Sequence, residues 1–217
     1  MPLVFLRLIY SVQLQKTAVS ASKLFCCYSR STLGKGMVDM RELSLNVMDV
    51  VQNSITAGAN LIEISVISKS AEHDLSITIK DNGHGMTAEQ VEKVIDPFYS
   101  TRTTRKIGLG VPFFKMSSEQ TGGSFSIFSQ KGIGTDVTAR YKTNHIDMTP
   151  TGDMNETILL LVVGNPGLDF VYTKAVDSNS FTLDTRELKE ILGDVSLSSP
   201  DVTIWIKEYL DEQESLL

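Results

Sequence analysis

Apolar residues first recur at helical spacing between residues 40 and 57. Leu43, Val47 and Val50 form one stripe there, and Met48, Val51 and Ile55 form another. Gly58 follows at a position suited to end a helix. The period then changes. Residues 61–68 and 75–80 are rich in Ile and Val and read as two strands separated by the polar turn of residues 70–74. The second strand runs into Asp81-Asn82-Gly83-His84-Gly85-Met86, a glycine-punctuated loop. Thr87 with Gln90 makes a capping box that opens a short helix through Ile95. A polar, basic stretch over residues 100–107 closes at Gly108-Leu109-Gly110. Pro112 then suits the first turn of a helix ending before Gly122-Gly123. Residues 124–129 and 136–141 read as two more strands, joined by the turn Lys131-Gly132-Ile133-Gly134.

The order helix, hairpin, helix, helix, hairpin predicts a mixed, mostly antiparallel sheet with helices on one face, an α/β two-layer sandwich. Residues 37–143 are expected to form this domain. Residues 144–217 read as a small appended α/β unit for partner docking or dimerisation. It contains a helix over 154–163, a break at Gly164-Asn165-Pro166-Gly167, and strands over 168–176 and 180–183. A helix opened by Asp184 with Glu187 follows, and a last helix begins after Ser199-Pro200.

Composition narrows the class. The 217 residues carry a formal net charge of −6, which argues against a phosphate-backbone binder, so no nucleic-acid partner is expected. The longest apolar run, residues 158–163, falls far short of the roughly 20 residues that span a bilayer. A soluble, cytoplasmic protein with no membrane partner is expected. Residues 1–36 differ from the rest: they hold five of the 20 basic residues, no acidic one, and both cysteines, Cys26 and Cys27. Such a leader reads either as a targeting segment or as sequence attached by a wrong start. The second reading is preferred, because Gly34-Lys35-Gly36 implies purine-rich codons just upstream of Met37 and Met40. Helical periodicity also begins only at about Met40.

The first helix bears a polar stripe, Glu42, Asn46, Asp49 and Asn53, whose steps of four, three and four put it on one face. Alone, it is equally a solvated face or the wall of a polar site. The Asp-Asn-Gly loop alone is ordinary turn chemistry, and Gly108-Leu109-Gly110 alone is weak. Order and spacing give them weight: ELSLNVMDVVQNSITAGAN, DNGHGM, DPFYSTR, GLGVPFFK and GIGTDV follow one another. This run, over residues 40–142, resembles the GHKL superfamily with its Bergerat fold. That superfamily covers histidine-kinase catalytic domains, gyrase and mismatch-repair ATPases, and heat-shock-ninety-type chaperones.

The resemblance implies ATP and Mg²⁺ as cofactors and assigns roles. Asp81 accepts from the adenine amino group, Gly83 and Gly85 let the backbone approach base and sugar, and Asn53 is the Mg²⁺ ligand. Gly108 and Gly110 offer backbone N–H groups to phosphate at a helix start. Met86, Leu109 and Val111 belong to the same nucleotide-binding motifs, and Lys115 lies one turn further on. Thr135 supplies the hydroxyl that backs the adenine contact. A lid between Phe98 and Gly108 carries Arg102, Arg105 and Lys106, of the right sign for triphosphate, although Arg105 and Lys106 also read as a solvated basic loop; Phe98 packs beneath it.

Asp49 departs from the pattern. It precedes Asn53 by four, where ATPase branches carry a water-activating Glu and histidine kinases usually an Asn; Asp is one methylene shorter than Glu, which leaves a general base farther from the γ-phosphate. A metal-organising role for Asp49 is equally open. The chain's histidines are His73, His84 and His145, none on a long helix ahead of the domain, which disfavours an autophosphorylating sensor. The segments NHIDMTPTGDMNETILLLVVGNPGLDFVYT and FTLDTRELKEILGD also resemble small bacterial histidine-kinase-like ATPases often encoded near iron-only hydrogenase subunits. That second resemblance implies a regulatory role in redox metabolism.

The function expected is therefore a stand-alone protein kinase, like the anti-sigma partner-switching kinases, acting on a protein partner. The alternatives are a non-turnover ATP/ADP-responsive switch and a weak ATPase. A homodimer is compatible with the sequence, but the N-terminal strap of ATP-gated dimer clamps is not evident in it.

Overall fold

The computed structural model of the chain describes residues 42–96 and 110–217. The leader, Phe98, Arg102, Arg105, Lys106, Gly108 and Leu109 lie outside them. In chain order the elements are α1 (Leu43–Thr56), β1 (Leu61–Lys69), β2 (Asp74–Asp81), α2 (Ala88–Val94), α3 (Gly110–Gln120), β3 (Ser124–Gln130), β4 (Gly134–Lys142), α4 (Met154–Gly164), β5 (Asp169–Val176), β6 (Asn179–Asp184), α5 (Thr185–Leu192) and α6 (Pro200–Glu214). The strands form a six-stranded sheet in the order β3-β4-β2-β1-β5-β6. Every pairing is antiparallel except β1 with β5.

The alternation of the strands decides which face is covered. Ile62, Ile64 and Val66 of β1, Leu75, Ile77 and Ile79 of β2, and Val137, Ala139 and Tyr141 of β4 are buried. Their neighbours point the other way and are largely polar, since successive side chains of a strand alternate faces. On that outer face Thr78 and Thr138 share a hydrogen bond of 3.0 Å, and Lys80 pairs with Glu63 at 3.7 Å. This is the two-layer sandwich the sequence predicts.

Helix α1 covers the inner face with Leu43, Val47, Val50 and Val51, all essentially inaccessible. Its C-terminus ends in a Schellman motif. Gly58, at φ +73°, donates to the Ile55 carbonyl and Ala59 to that of Ser54. At the other end, the backbone N–H groups of Leu43 and Ser44 donate to the carbonyls of Pro150 and Thr151, 2.9 Å each. Two of the donors that a helix N-terminus leaves unpaired are thus satisfied from more than 100 residues away. Gly152, at φ +71°, allows this approach: a Cβ there would lie 2.2 Å from Ser44 Oγ and 2.6 Å from Glu42 Oε2. Glu42, the first residue of the polar stripe, therefore lies against this crossover.

The C-terminal segment differs from the appended unit expected. Strand β5 pairs along β1 from Leu61↔Asp169 to Ser68↔Val176, so both C-terminal strands extend the one sheet. Residues 41–217 are a single unit by their internal contacts. The physical reason lies in β1: buried on its inner face, it would otherwise be an open sheet edge. Helix α6 is tied to α4 by Asn155, whose Nδ2 donates to Glu214 Oε2 at 2.6 Å, and to β5 by an ion pair between Lys174 and Glu214.

Two local expectations are also refined. The Thr87/Gln90 capping box is present in both directions. At α5, Asp184 caps the Arg186 N–H and Glu187 does not close a box. The Arg186 guanidinium folds back on Asp184 at 2.6 Å and holds its carboxyl below the usual range. Helix α3 begins at Gly110, with Pro112 inside its first turn.

Candidate functional site

A cavity of about 230 Å³ lies between the C-terminal half of α1 and the inner face of β2, β3 and β4. Val50, Ala57, Met86, Val94, Val111, Ile127 and Val137 give it apolar walls. Asn53, Ser54, Thr56, Asp81, His84 and Thr135 supply its polar groups. An apolar slot with few convergent polar groups is the usual form of a small-molecule site.

Asp81 is the carboxylate among the described lining residues and is only 9 % exposed. It closes β2 at an inward position. Its Oδ2 accepts from Ser54 Oγ at 2.6 Å, and its Oδ1 accepts from the Gly83 N–H at 2.9 Å. Each carboxylate oxygen retains acceptor capacity beyond the one bond. The carboxylate is thus held in place by the protein and still able to accept from a ligand.

The loop after β2 is seated by glycines. The His84 N–H donates to the Ala57 carbonyl at the end of α1, 2.9 Å away. A Cβ on Gly83 would stand 2.9 Å from Ala57 Cβ. The loop then interlocks with the β3–β4 turn. The Gly132 N–H donates to the His84 carbonyl at 2.7 Å, and a Cβ on Gly85 would meet the Gln130 carbonyl oxygen at 2.0 Å. A Cβ on Gly134 would meet that of Asp81 at 1.9 Å. Asn82 pins the other side: its Oδ1 accepts from the Asn60 and Leu61 N–H groups, both at 3.0 Å.

Thr135 stands opposite Asp81 in the β2–β4 register. Its Oγ1 lies 2.9 Å from Ser129 Oγ, which in turn contacts the Met86 N–H at 2.8 Å and the Gly134 carbonyl at 3.0 Å. His84 Nδ1 lies 2.7 Å from the Gly85 carbonyl, so this nitrogen carries the proton if the contact is a hydrogen bond.

Asn53, Asp81, Gly85, Met86, Val111 and Thr135 are thus brought together around one cavity. Gly83 supports it from behind. Asp49 and Gly110 meet just beyond it, where a Cβ on Gly110 would lie 2.7 Å from Asp49 Cβ. Lys115 is not among the lining residues and pairs with Glu119 along α3 at 3.8 Å. Phe98, Arg102, Gly108 and Leu109 lie outside the described residues. Sequence reasoning did not single out Ser54, Ser129 or Asn82. Ser54 had a signal: it continues the apolar stripe of Leu43, Val47 and Val50 as a polar residue, and it is 4 % exposed.

Residues 38–145 match the family described as histidine kinase-, DNA gyrase B-, and HSP90-like ATPase. This is a GHKL ATP-binding domain. The domain takes in the cavity, α1 and the first four strands; β5, β6 and α4 to α6 lie beyond it. Sporulation kinase B of Bacillus subtilis is 36 % identical over 105 residues, 47 % of this chain and 24 % of that protein. Sensor histidine kinase ZraS of Escherichia coli is 27 % identical over 124 residues, 57 % of this chain and 26 % of that one. The chain spans about a quarter of the length of these two relatives. Among solved structures, the N-terminal domain of a DNA repair protein aligns with TM-score 0.48 at 17 % identity, covering 70 % of this chain and 57 % of that one. No helix among the described residues is long and apolar enough to cross a membrane.

Proposed function

We propose that the chain binds ATP·Mg²⁺ at the Asp81 cavity and acts as a protein kinase that passes the γ-phosphate to a protein partner. The observation that carries the nucleotide reading is the buried Asp81 carboxylate, fixed by Ser54 and Gly83 inside a slot with apolar walls. Such a slot suits a flat heteroaromatic ring with an amino group at one end.

The cavity takes the base and its sugar. The phosphates then run along α1, past Asn53 toward Asp49 and the start of α3 at Gly110, where backbone N–H groups at a helix start favour anions. Among the described residues no group of three His, Cys, Asp or Glu could hold a metal on its own. Asn53, which lines the cavity, would hold a Mg²⁺ ion through its amide oxygen together with the nucleotide, since this ion is commonly bound by few protein oxygens plus substrate phosphates. When bound, it neutralises phosphate charge. Asp49, half-buried beside Gly110, is then the residue placed to orient the ion or a nucleophile. The kinase reading draws on the relatives, which are kinases by name.

A second reading is a switch that changes partner affinity with nucleotide and does not turn it over. The Asp at position 49, shorter than the Glu of the ATPase branches, favours it. The two separate in one experiment: the full chain with γ-phosphate-labelled ATP and Mg²⁺, alone and with protein extract, beside Asp81→Asn. Label moving to a partner, and lost in the variant, supports the kinase. Free phosphate alone makes it an ATPase with Asp49 as base. ATP retained without movement of label leaves the switch.

A further inference from the structure

Ser129 sits at the end of the edge strand β3 with three polar contacts on one hydroxyl. A hydroxyl has one hydrogen and two lone pairs. The Met86 N–H, 2.8 Å away, can only donate, and the Gly134 carbonyl, 3.0 Å away, can only accept. The third partner, Thr135 Oγ1 at 2.9 Å, can do either. One assignment makes all three contacts hydrogen bonds: Ser129 donates to Gly134, accepts from Met86, and accepts from Thr135. Any other sets two lone pairs against each other at about 3 Å.

Under that assignment the Thr135 proton is spent on Ser129. Thr135 lines the cavity, and to any ligand group within reach its Oγ1 then offers lone pairs alone. Asp81, its register partner on β2, is an acceptor too. We infer that Ser129 is a positioning residue that fixes the Thr135 hydroxyl as a hydrogen-bond acceptor and thereby selects a 6-amino purine over a 6-oxo purine. This deepens the ATP-binding reading and rests on it. Two neighbouring acceptors suit the two N–H groups of an exocyclic amine. A 6-oxo group would face them lone pair to lone pair and stay unsatisfied, the kind of mismatch by which a polar site rejects an analogue. Without Ser129 the Thr135 hydroxyl is free to rotate and donate to the oxo group.

The test is the ratio of affinities for ATP and for inosine triphosphate, each with Mg²⁺. It is measured by calorimetry on the full chain and on Ser129→Ala, Ser129→Thr and Thr135→Val, with thermal melts to confirm folding. The ratio should fall about threefold to tenfold in Ser129→Ala, the scale of one neutral hydrogen bond. Ser129→Thr, which keeps the hydroxyl, should restore it. A merely structural role would lower both affinities together and leave the ratio unmoved, which overturns the inference. Should Ser129→Ala fail to fold, Thr135→Val decides, since a ratio it does not change overturns the inference equally. Binding of neither nucleotide to the folded, unmutated chain overturns both readings. ATP bound with an unmoved ratio overturns this one alone.

Discussion

Ser54 donates to Asp81 across 2.6 Å, joining the last turns of α1 to the end of β2 at the floor of the cavity. The bond is charge-assisted and buried at both ends. It fixes the carboxylate that the nucleotide reading requires.

Ser54→Ala should therefore cost about 1–2 kcal/mol of stability, because the buried carboxylate loses a donor and part of its desolvation goes uncompensated. Urea unfolding gives the number. Affinity for ATP should fall in the same variant, since Asp81 is then held by the Gly83 N–H without the second bond.

Gly134→Ala should be far more damaging. The residue sits at φ +137°, and a Cβ would stand 1.9 Å from the Asp81 carbonyl oxygen. Both the strand pairing and the cavity floor would have to move. Roughly 2–4 kcal/mol of destabilisation is expected, with loss of nucleotide binding. Gly132→Ala is the control: it too has positive φ, but its Cβ meets nothing within 4 Å, so it should cost less and spare the cavity.

Alkaline stability should reflect two tyrosines. Tyr141 is fully buried beneath α3, and burial pushes its hydroxyl up to about 12, against a weaker opposing effect of its Ser117 hydrogen bond. Burial raises Tyr172 as well, with Glu214 and Asp153 adding to it. The unfolded chain loses these protons near the ordinary tyrosine value of about 10, while the folded chain keeps them. Their contribution is therefore complete below pH 10 and declines as pH rises toward 12. Melts at pH 8 and pH 11 should show this loss, and Tyr141→Phe should show a smaller one.

Ending the chain before residue 144 should not leave a stable ATP-binding domain. It would remove the strand that pairs with β1 and the Pro150 and Thr151 carbonyls that satisfy the start of α1. Expected is a poorly folded or aggregating product, seen by circular dichroism and light scattering. A truncation that melts cooperatively and binds ATP would contradict this.

Much of this was legible because it is local. The two stripes of α1, the hairpins and the Thr87–Gln90 cap depend on residues a few positions apart, and the structure has them all. Asp81 and its glycines were legible only within a longer run: the loop alone is ordinary turn chemistry, and its place between ELSLNVMDVVQNSITAGAN and GLGVPFFK gave it weight. The register of β5 on β1 was not, since nothing near either strand announces its partner. Nor were Ser54 and Ser129, because a serine in an apolar stripe or strand looks like a weak core position until its partner is known. Both occupy positions whose periodic neighbours face inward, Val50 for one and Ile127 for the other, and a polar residue at such a position is the signal to look for.

The most direct test of the central claim is calorimetric titration of ATP with Mg²⁺ into the full chain and into Asp81→Asn. In the variant the Gly83 N–H retains the amide oxygen, which turns the NH₂ toward Ser54 and the cavity. Binding by the unmutated chain and a loss of about tenfold to hundredfold in the variant are expected, the scale of one hydrogen bond to a charged group. Equal affinity in the two proteins, or no binding by the folded unmutated chain, would contradict an adenine seat at Asp81.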